Sequence, residues 1–491
     1  MAATAAPRSR LVAKLTLLAS FAVSLWMIRR DGRWRRFSSA ALWIPAIWVG
    51  LGSSRGLPFW LAQIGLVGGG QSNRLDGNPV NLVFNNGMFL LAIVVLIRRR
   101  FRWGQYVFAN KGLFLFYAFF LCSAVWSPFF VPTLKRWVQE SGWLLIAPIV
   151  LTEPNPAASI RVMFVRVSYI LFPVSIPLIR YFPNIGRTLT YHGSMLVCGV
   201  ADHKNSLGQL CFVFCLMLIW DLIETRKSDA LSATKPEHWP RLVNLGIGLY
   251  LLVISSSATS LMCFWMGLAL LLVGKRLAAM KNAHLVFILG VLAIVCVLAL
   301  QQTFHLSSQV SEYFGRGEGM SGRSEIWQAA LEKHTDYFLG AGFRGFWESR
   351  AGKEVFQQLG TGELITVHNG YIETYLNGGV VGLCFLGIFI LSTGLITTTK
   401  VVQQESIGRL AVVFWPLILI YNLTETQFMM AGPVWYAMLL TTIDVRQVGV
   451  GREDATVGGR IVRHGQQLRL GHVNASTAMT HATVAPREIG N

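Results

Sequence analysis

The sequence predicts an all-α, polytopic integral membrane protein with about 12 transmembrane helices and one long loop on the outer face. Three observations lead there. Of 491 residues, 53% are hydrophobic and only 14% charged, with a mean hydropathy of +0.48, whereas a soluble domain carries about 25% charged residues. Long apolar runs recur along the chain. The charge is divided between the segments joining those runs in a way that only a membrane explains.

A bilayer crossing needs roughly 17–25 apolar residues with few charges. Candidate runs lie near 38–54, 80–97, 112–128, 137–151, 161–180, 205–223, 242–256, 259–274, 284–301, 371–398, 409–424 and 430–445. Backbone groups in lipid must be satisfied within their own segment, so these runs are helices rather than strands. The seventh and eighth form one apolar stretch, and the polar run Ser255-Ser256-Ser257-Ala258-Thr259-Ser260 in its middle predicts a tight turn between two helices.

Before these lies 11–28, apolar but holding Lys14 and flanked by arginines. Thr16, Ser20 and Ser24 recur every four residues, a polar stripe suited to lying along the membrane surface; a thirteenth crossing is the alternative. Arg29, Arg30, Arg33, Arg35 and Arg36 follow and resist translocation, which argues against a cleaved signal peptide. The segment plan is therefore 1–37 as a cytoplasmic or interfacial start, and 38–301 as the first block of crossings. A long outer loop follows at 302–370, then the last crossings at 371–445. The tail 446–491, rich in Gly, Thr, Ala and Arg, is expected to be disordered.

With twelve crossings and both ends inside, inner segments hold 30 Lys and Arg against 11 Asp and Glu, while outer segments hold 13 of each. The whole net charge of +19 thus falls on one side, as the positive-inside rule requires. The basic excess orients the protein and calls for no nucleic-acid partner. Seven cysteines, Cys122, Cys198, Cys211, Cys215, Cys263, Cys296 and Cys384, form no CxxC pair and lie in or beside the runs. They predict neither a disulfide framework nor a metal site.

The 302–370 loop is long enough to be functional. Its centre, Arg323 to Lys333, reads as an amphipathic helix with Ile326, Trp327, Ala330 and Leu331 on one face. His368 stands where the loop meets the next crossing. It could take a proton from a sugar hydroxyl, or be an interfacial histidine that caps a helix. Arg323, at the start of the loop helix, suits a phosphate or diphosphate, or else a surface pair with Glu325 or Glu332. Arg344, in a glycine-rich stretch, offers the same choice. His203, Lys204 and Asn205 open the run at 205, where Asn205 could cap the helix and Lys204 meet an anion. Arg136 and Lys135 begin another run on the outer side. Glu140, Glu373 and Glu425 are carboxylates at or in the runs, costly unless paired, and are expected to orient those cations. No inverted halves or broken helices of the kind found in transporters are evident.

Together these residues resemble a known family. Gly322-Arg323-Ser324-Glu325-Ile326-Trp327, Leu339-Gly340-Ala341-Gly342-Phe343, and His368-Asn369 followed nine residues later by Gly379-Val380-Val381-Gly382 resemble the O-antigen ligase and polysaccharide polymerase family. Asp202-His203-Lys204-Asn205-Ser206-Leu207-Gly208, Ser257-Ala258-Thr259-Ser260 and Asn422-Leu423-Thr424-Glu425 look most like its exopolysaccharide polymerase branch. The resemblance, over roughly 120–430, implies a GT-C-like membrane fold in the bacterial inner membrane with its site facing the periplasm. It implies transfer of a glycan from a polyprenyl diphosphate to an acceptor hydroxyl, with no metal or other cofactor. It makes His368 the catalytic residue and Arg323 the diphosphate holder, with Asn369, Glu373, His203, Asn205, Arg344 and Glu425 as supporting or substrate-binding groups.

Many ligases of the family carry an arginine where this chain has Ala258-Thr259; Lys204 and Arg136 are then candidates for the second diphosphate cation. Implied partners are the lipid-linked glycan donor and acceptor, the lipid bilayer, and flippase and chain-length regulator proteins. The expected activity is polymerisation of lipid-linked repeats. Alternatives are a ligase moving finished glycan onto lipid A core or protein, and a transporter of the lipid-linked sugar.

Overall fold

Local sequence dictates the helices. Asn78 accepts from Val80 N and Pro79 follows it, and Asn155 accepts from Ala158 N ahead of Pro156, so each begins a helix with a capped first turn. The computed structural model describes residues 7–31, 39–67, 78–189, 195–229, 238–279, 290–291, 293–294, 321–334, 336–360, 366–403 and 406–445. Its helices are α1 (Pro7–Arg30), α2 (Trp43–Gly52), α3 (Leu57–Gln63), α4 (Pro79–Arg98), α5 (Trp103–Ala109), α6 (Lys111–Cys122), α7 (Phe130–Leu151), α8 (Pro156–Tyr181) and α9 (Pro183–Gly186). After a short antiparallel hairpin of Arg187–Leu189 with Met195–Val197 come α10 (Lys204–Asp229), α11 (Trp239–Ile254) and α12 (Ala258–Ala279). Then follow α13 (Ser321–Lys333), α14 (Arg350–Leu359), α15 (Gly370–Val402), α16 (Ser406–Tyr421) and α17 (Pro433–Thr442).

The fold is all-α and membrane-spanning. Among the described residues five helices, α1, α4, α8, α10 and α15, are long and apolar enough to cross a bilayer, or six if α5 and α6, bent by 96°, count as one. Of the remaining runs, those at 137–151 and 259–274 lie in the longer helices α7 and α12, those at 242–256 and 409–424 match α11 and α16 in length, and those at 38–54, 112–128 and 430–445 are helical over shorter stretches. The run at 430–445 is helical only over Pro433–Thr442, because the apolar residues before Pro433 form its entry turn. The run at 284–301 and the tail 446–491 fall almost entirely outside the described residues.

The α11–α12 turn forms where the serines predict it: Ser256 takes φ +52° and α12 starts at Ala258. The stripe on α1 has another explanation. Thr16 bonds Val12 O and Ala13 O, Ser20 bonds Leu17 O, and Ser24 bonds Ser20 O. The hydroxyls are consumed by their own helix and define no aqueous face, and α1 is long enough to cross.

α8 and α10 are the most buried of these crossing helices, with α1, α11 and α12 packed around them and α15 against α6 and α16. Lipid gives helices no hydrophobic reason to associate, so close packing must hold them. A Cβ on Gly208 would fall 2.6 Å from Ser260 Oγ, so this glycine lets α10 approach the start of α12. At one end of the bundle a buried ion cluster ties the helices. Arg241 meets Asp221 at 2.8 Å and Asp31 at 2.5 Å, and Arg409 meets Glu224 at 2.6 Å.

Candidate active site

Away from that cluster, the described residues of the 302–370 segment (321–334, 336–360 and 366–370) pack against the bundle and share a small core with α15. Ala329, Ala330, Phe346, Trp347, Val355, Val367 and Leu376 are buried together. The amphipathic helix is present as α13, but Ala329 shares the inner face with Ala330 while Leu331 is exposed. The second loop helix, α14, is strongly amphipathic, with Val355 buried, and is one the sequence reading missed; Ser349 caps it and Gly360 ends it in the left-handed region.

This segment docks through a break in α15. Gly379 has φ +60°, and a Cβ there would lie 2.1 Å from Phe338 O. The break turns Val380 and Val381 N–H away from their helix, and they donate to Tyr337 O (2.9 Å) and Phe338 O (3.2 Å). Ala341 N returns a bond to Leu376 O at 3.0 Å. The Gly-x-x-Gly pattern therefore marks a joint between loop and helix. The expectation of unbroken helices is corrected here, although this break is filled by protein backbone.

Eleven residues before Gly379, His368 takes φ +52°, a region sparsely populated by residues other than glycine. The neighbours hold it there. Asn369, rather than His368, caps α15 by accepting from Tyr371 N and Ile372 N, and its amide donates to Leu423 O. Gly370 N donates to Asn422 O at 2.8 Å, and a Cβ on Gly370 would overlap the Asn422 side chain. Asn422 Oδ1 in turn accepts from Gln427 N and Phe428 N, fixing the link that carries Glu425.

Glu425 is the centre of the site. Its Oε2 lies 3.0 Å from His368 Nδ1, and its Oε1 accepts from Arg323 (2.8 Å) and Asn205 (2.6 Å). Arg323 also donates to Thr424 O at 2.6 Å; it pairs with neither Glu325 nor Glu332. Burial by itself would raise the Glu425 carboxyl, but the hydrogen bond and charge of His368 and the Arg323 guanidinium hold it below its usual value. The His368 side chain keeps 35% of its surface exposed, so the imidazole can meet a substrate.

Asn205 does not cap α10, because its amide is turned to Glu425; His203 Nδ1 takes that place by accepting from Asn205 N at 3.3 Å. Lys204 is the first residue of that helix. The serine turn arrives beside them, with Thr424 Oγ1 3.1 Å from Thr259 Oγ1. Three motifs far apart in the chain thus meet at one carboxylate.

Arg136 and Arg344 belong to an adjoining group. Arg344 pairs with Glu140 at 2.8 Å, and Arg136 donates to Arg344 O (2.6 Å) and pairs with Glu348 (2.9 Å). Glu373 binds Trp347 Nε1, Val367 N and Asn377 Nδ2, so it orders the loop core. Glu348, Asn377 and Asn422 were not evident as site residues in the sequence; only Asn422 lies in a recognised motif. No group of three or more His, Cys, Asp or Glu side chains suited to a metal occurs among the described residues.

The described residues thus form an apolar, membrane-spanning helical bundle that carries a histidine–carboxylate–arginine group at one end. Residues 243–387 match the family model described as O-antigen ligase. That match covers just under a third of the chain. No curated protein matches the sequence.

Proposed function

We propose that the protein is a glycan polymerase that joins polyprenyl-diphosphate-linked oligosaccharide repeats into an exopolysaccharide or O-antigen chain at the periplasmic face of the bacterial inner membrane. The observation that carries this reading is Glu425 bridging His368 and Arg323. A carboxylate on Nδ1 keeps the proton there and leaves the Nε2 lone pair as the basic site, the logic of a catalytic triad.

His368 Nε2 takes the proton of an acceptor hydroxyl as its oxygen forms a bond to the donor's anomeric carbon. The bond from that carbon to the phosphate oxygen breaks, and its electron pair leaves with the polyprenyl diphosphate. Negative charge grows on the leaving group, which charge-assisted hydrogen bonds stabilise. Arg323 supplies them: Thr424 O and Glu425 engage two of the five N–H donors of a guanidinium. Lys204, one residue from Asn205 at the start of α10, is the second cation.

His368→Ala should abolish polymer while the protein remains in the membrane, with lipid-linked single repeats accumulating. Polymer of normal length from that variant contradicts the assignment. The family description favours a second reading, a ligase acting on finished glycan. A deletion strain separates the two, since loss of a polymerase leaves single repeats and loss of a ligase leaves full-length lipid-linked chains.

A further inference from the structure

Beside the Glu425 group is a cavity of about 240 Å³ whose wall includes Thr366 and Gly370, on either side of His368, and Thr426, next to Glu425. It is smaller than the roughly 300–1,000 Å³ of pockets for whole drug-sized ligands, so it takes one ring rather than an oligosaccharide. Phe116, Phe120, Phe343 and Trp347 give it broad apolar faces, and the Trp347 ring is fixed by its bonds to Glu373. Arg136, Arg344 and Glu348 give it a polar rim.

Two features point to an occupant. Thr426 lines the cavity, and its Oγ1, on a residue only 6% exposed, has no hydrogen-bond partner. Arg344 Nε is likewise buried and unpartnered, on a residue held at φ +52°. Buried polar atoms in native proteins are nearly always satisfied, and exceptions need a reason. Charge narrows the choice: both guanidiniums are already matched by carboxylates, Arg136 by Glu348 and Arg344 by Glu140. A diphosphate therefore gains little here. A neutral ring with an apolar face and hydroxyls at its edge fits both the aromatic walls and the unpartnered atoms.

We infer that this cavity is a monosaccharide subsite holding the sugar ring that presents the acceptor hydroxyl. The inference rests on the transfer reading above and adds where acceptor specificity resides. Thr426 and Arg344 Nε bind ring hydroxyls, while Trp347 and the phenylalanines cover the ring face.

The test uses full-length protein in detergent micelles and ligand-observed saturation-transfer NMR with methyl glycosides of glucose, galactose, mannose and N-acetylglucosamine. At least one glycoside should show transfer from the wild type and from His368→Ala. Thr426→Leu, which fills the space, should remove the signal, and Thr426→Val, which keeps the shape, should weaken binding about tenfold, the worth of one buried hydrogen bond. No transfer from any glycoside, or equal transfer in both Thr426 variants, overturns the subsite. So does displacement of the glycoside from the wild type by inorganic pyrophosphate, which would make this the diphosphate site. Glycoside binding alongside a fully active His368→Ala would instead sink the transfer reading and leave the subsite standing.

Discussion

Glu425 is shared between two jobs: one oxygen faces His368, the other Arg323 and Asn205. Glu425→Gln keeps the shape and loses the charge that fixes the imidazole tautomer, so kcat should fall on the order of a hundredfold or more. Arg323→Lys cannot keep bonds to both Thr424 O and Glu425, and an assay of repeat consumption should show at least about a tenfold loss; wild-type activity would remove Arg323 from the site. The Glu425 carboxyl is held below its usual value, so unfolded chain binds more protons as the medium becomes acidic. Its stabilising contribution is complete above about 4.5 and is lost as pH falls through the lower folded value. Thermal unfolding of Glu425→Gln should lack that part of the acid dependence. His368, Arg323 and Glu425 each stood out in the sequence as costly or reactive types at a membrane edge. Their meeting did not, because Glu425 lies 57 residues from His368 and 102 from Arg323, and no local pattern encodes such a contact.

At the scale of elements, the joint between α15 and the loop decides whether the site assembles. Gly379→Ala puts a methyl onto Phe338 O and an L side chain at φ +60°. It should destabilise the protein by more than about 2 kcal/mol, read as a lower thermal midpoint in detergent with activity lost in parallel. An unchanged midpoint would show that the joint relaxes freely. Helix positions were largely legible, since apolar runs and proline-led caps mark them. Helix lengths were not, because apolar turn residues such as those before Pro433 look like helix in a hydropathy reading.

At the scale of the molecule, the ion pairs among the described residues do not mix the two sides of the expected topology. Arg99–Glu153, Arg241–Asp31, Arg241–Asp221 and Arg409–Glu224 join residues that the charge count places inside. Arg136–Glu348, Arg344–Glu140 and Arg323–Glu425 join residues it places outside. Each pair joins residues that the expected topology puts on one side, which is consistent with the proposal that the His368 group faces outward. A reporter fused near residue 340 should then read as periplasmic; a cytoplasmic reading would overturn the orientation. At the inner end, Arg241→Ala leaves Asp31 and Asp221 buried without that partner, and should cost about 3–5 kcal/mol in thermal unfolding while the outer site keeps its geometry. On that topology the net charge of +19 belongs to orientation, and the proposed function rests on a few cations on the balanced face.

The most direct measurement is glycan transfer by the purified protein in nanodiscs supplied only with the lipid-linked repeat from its own host. The wild type should lengthen the glycan and release polyprenyl diphosphate, and His368→Ala should do neither. Chain growth by His368→Ala at the wild-type rate would contradict the account.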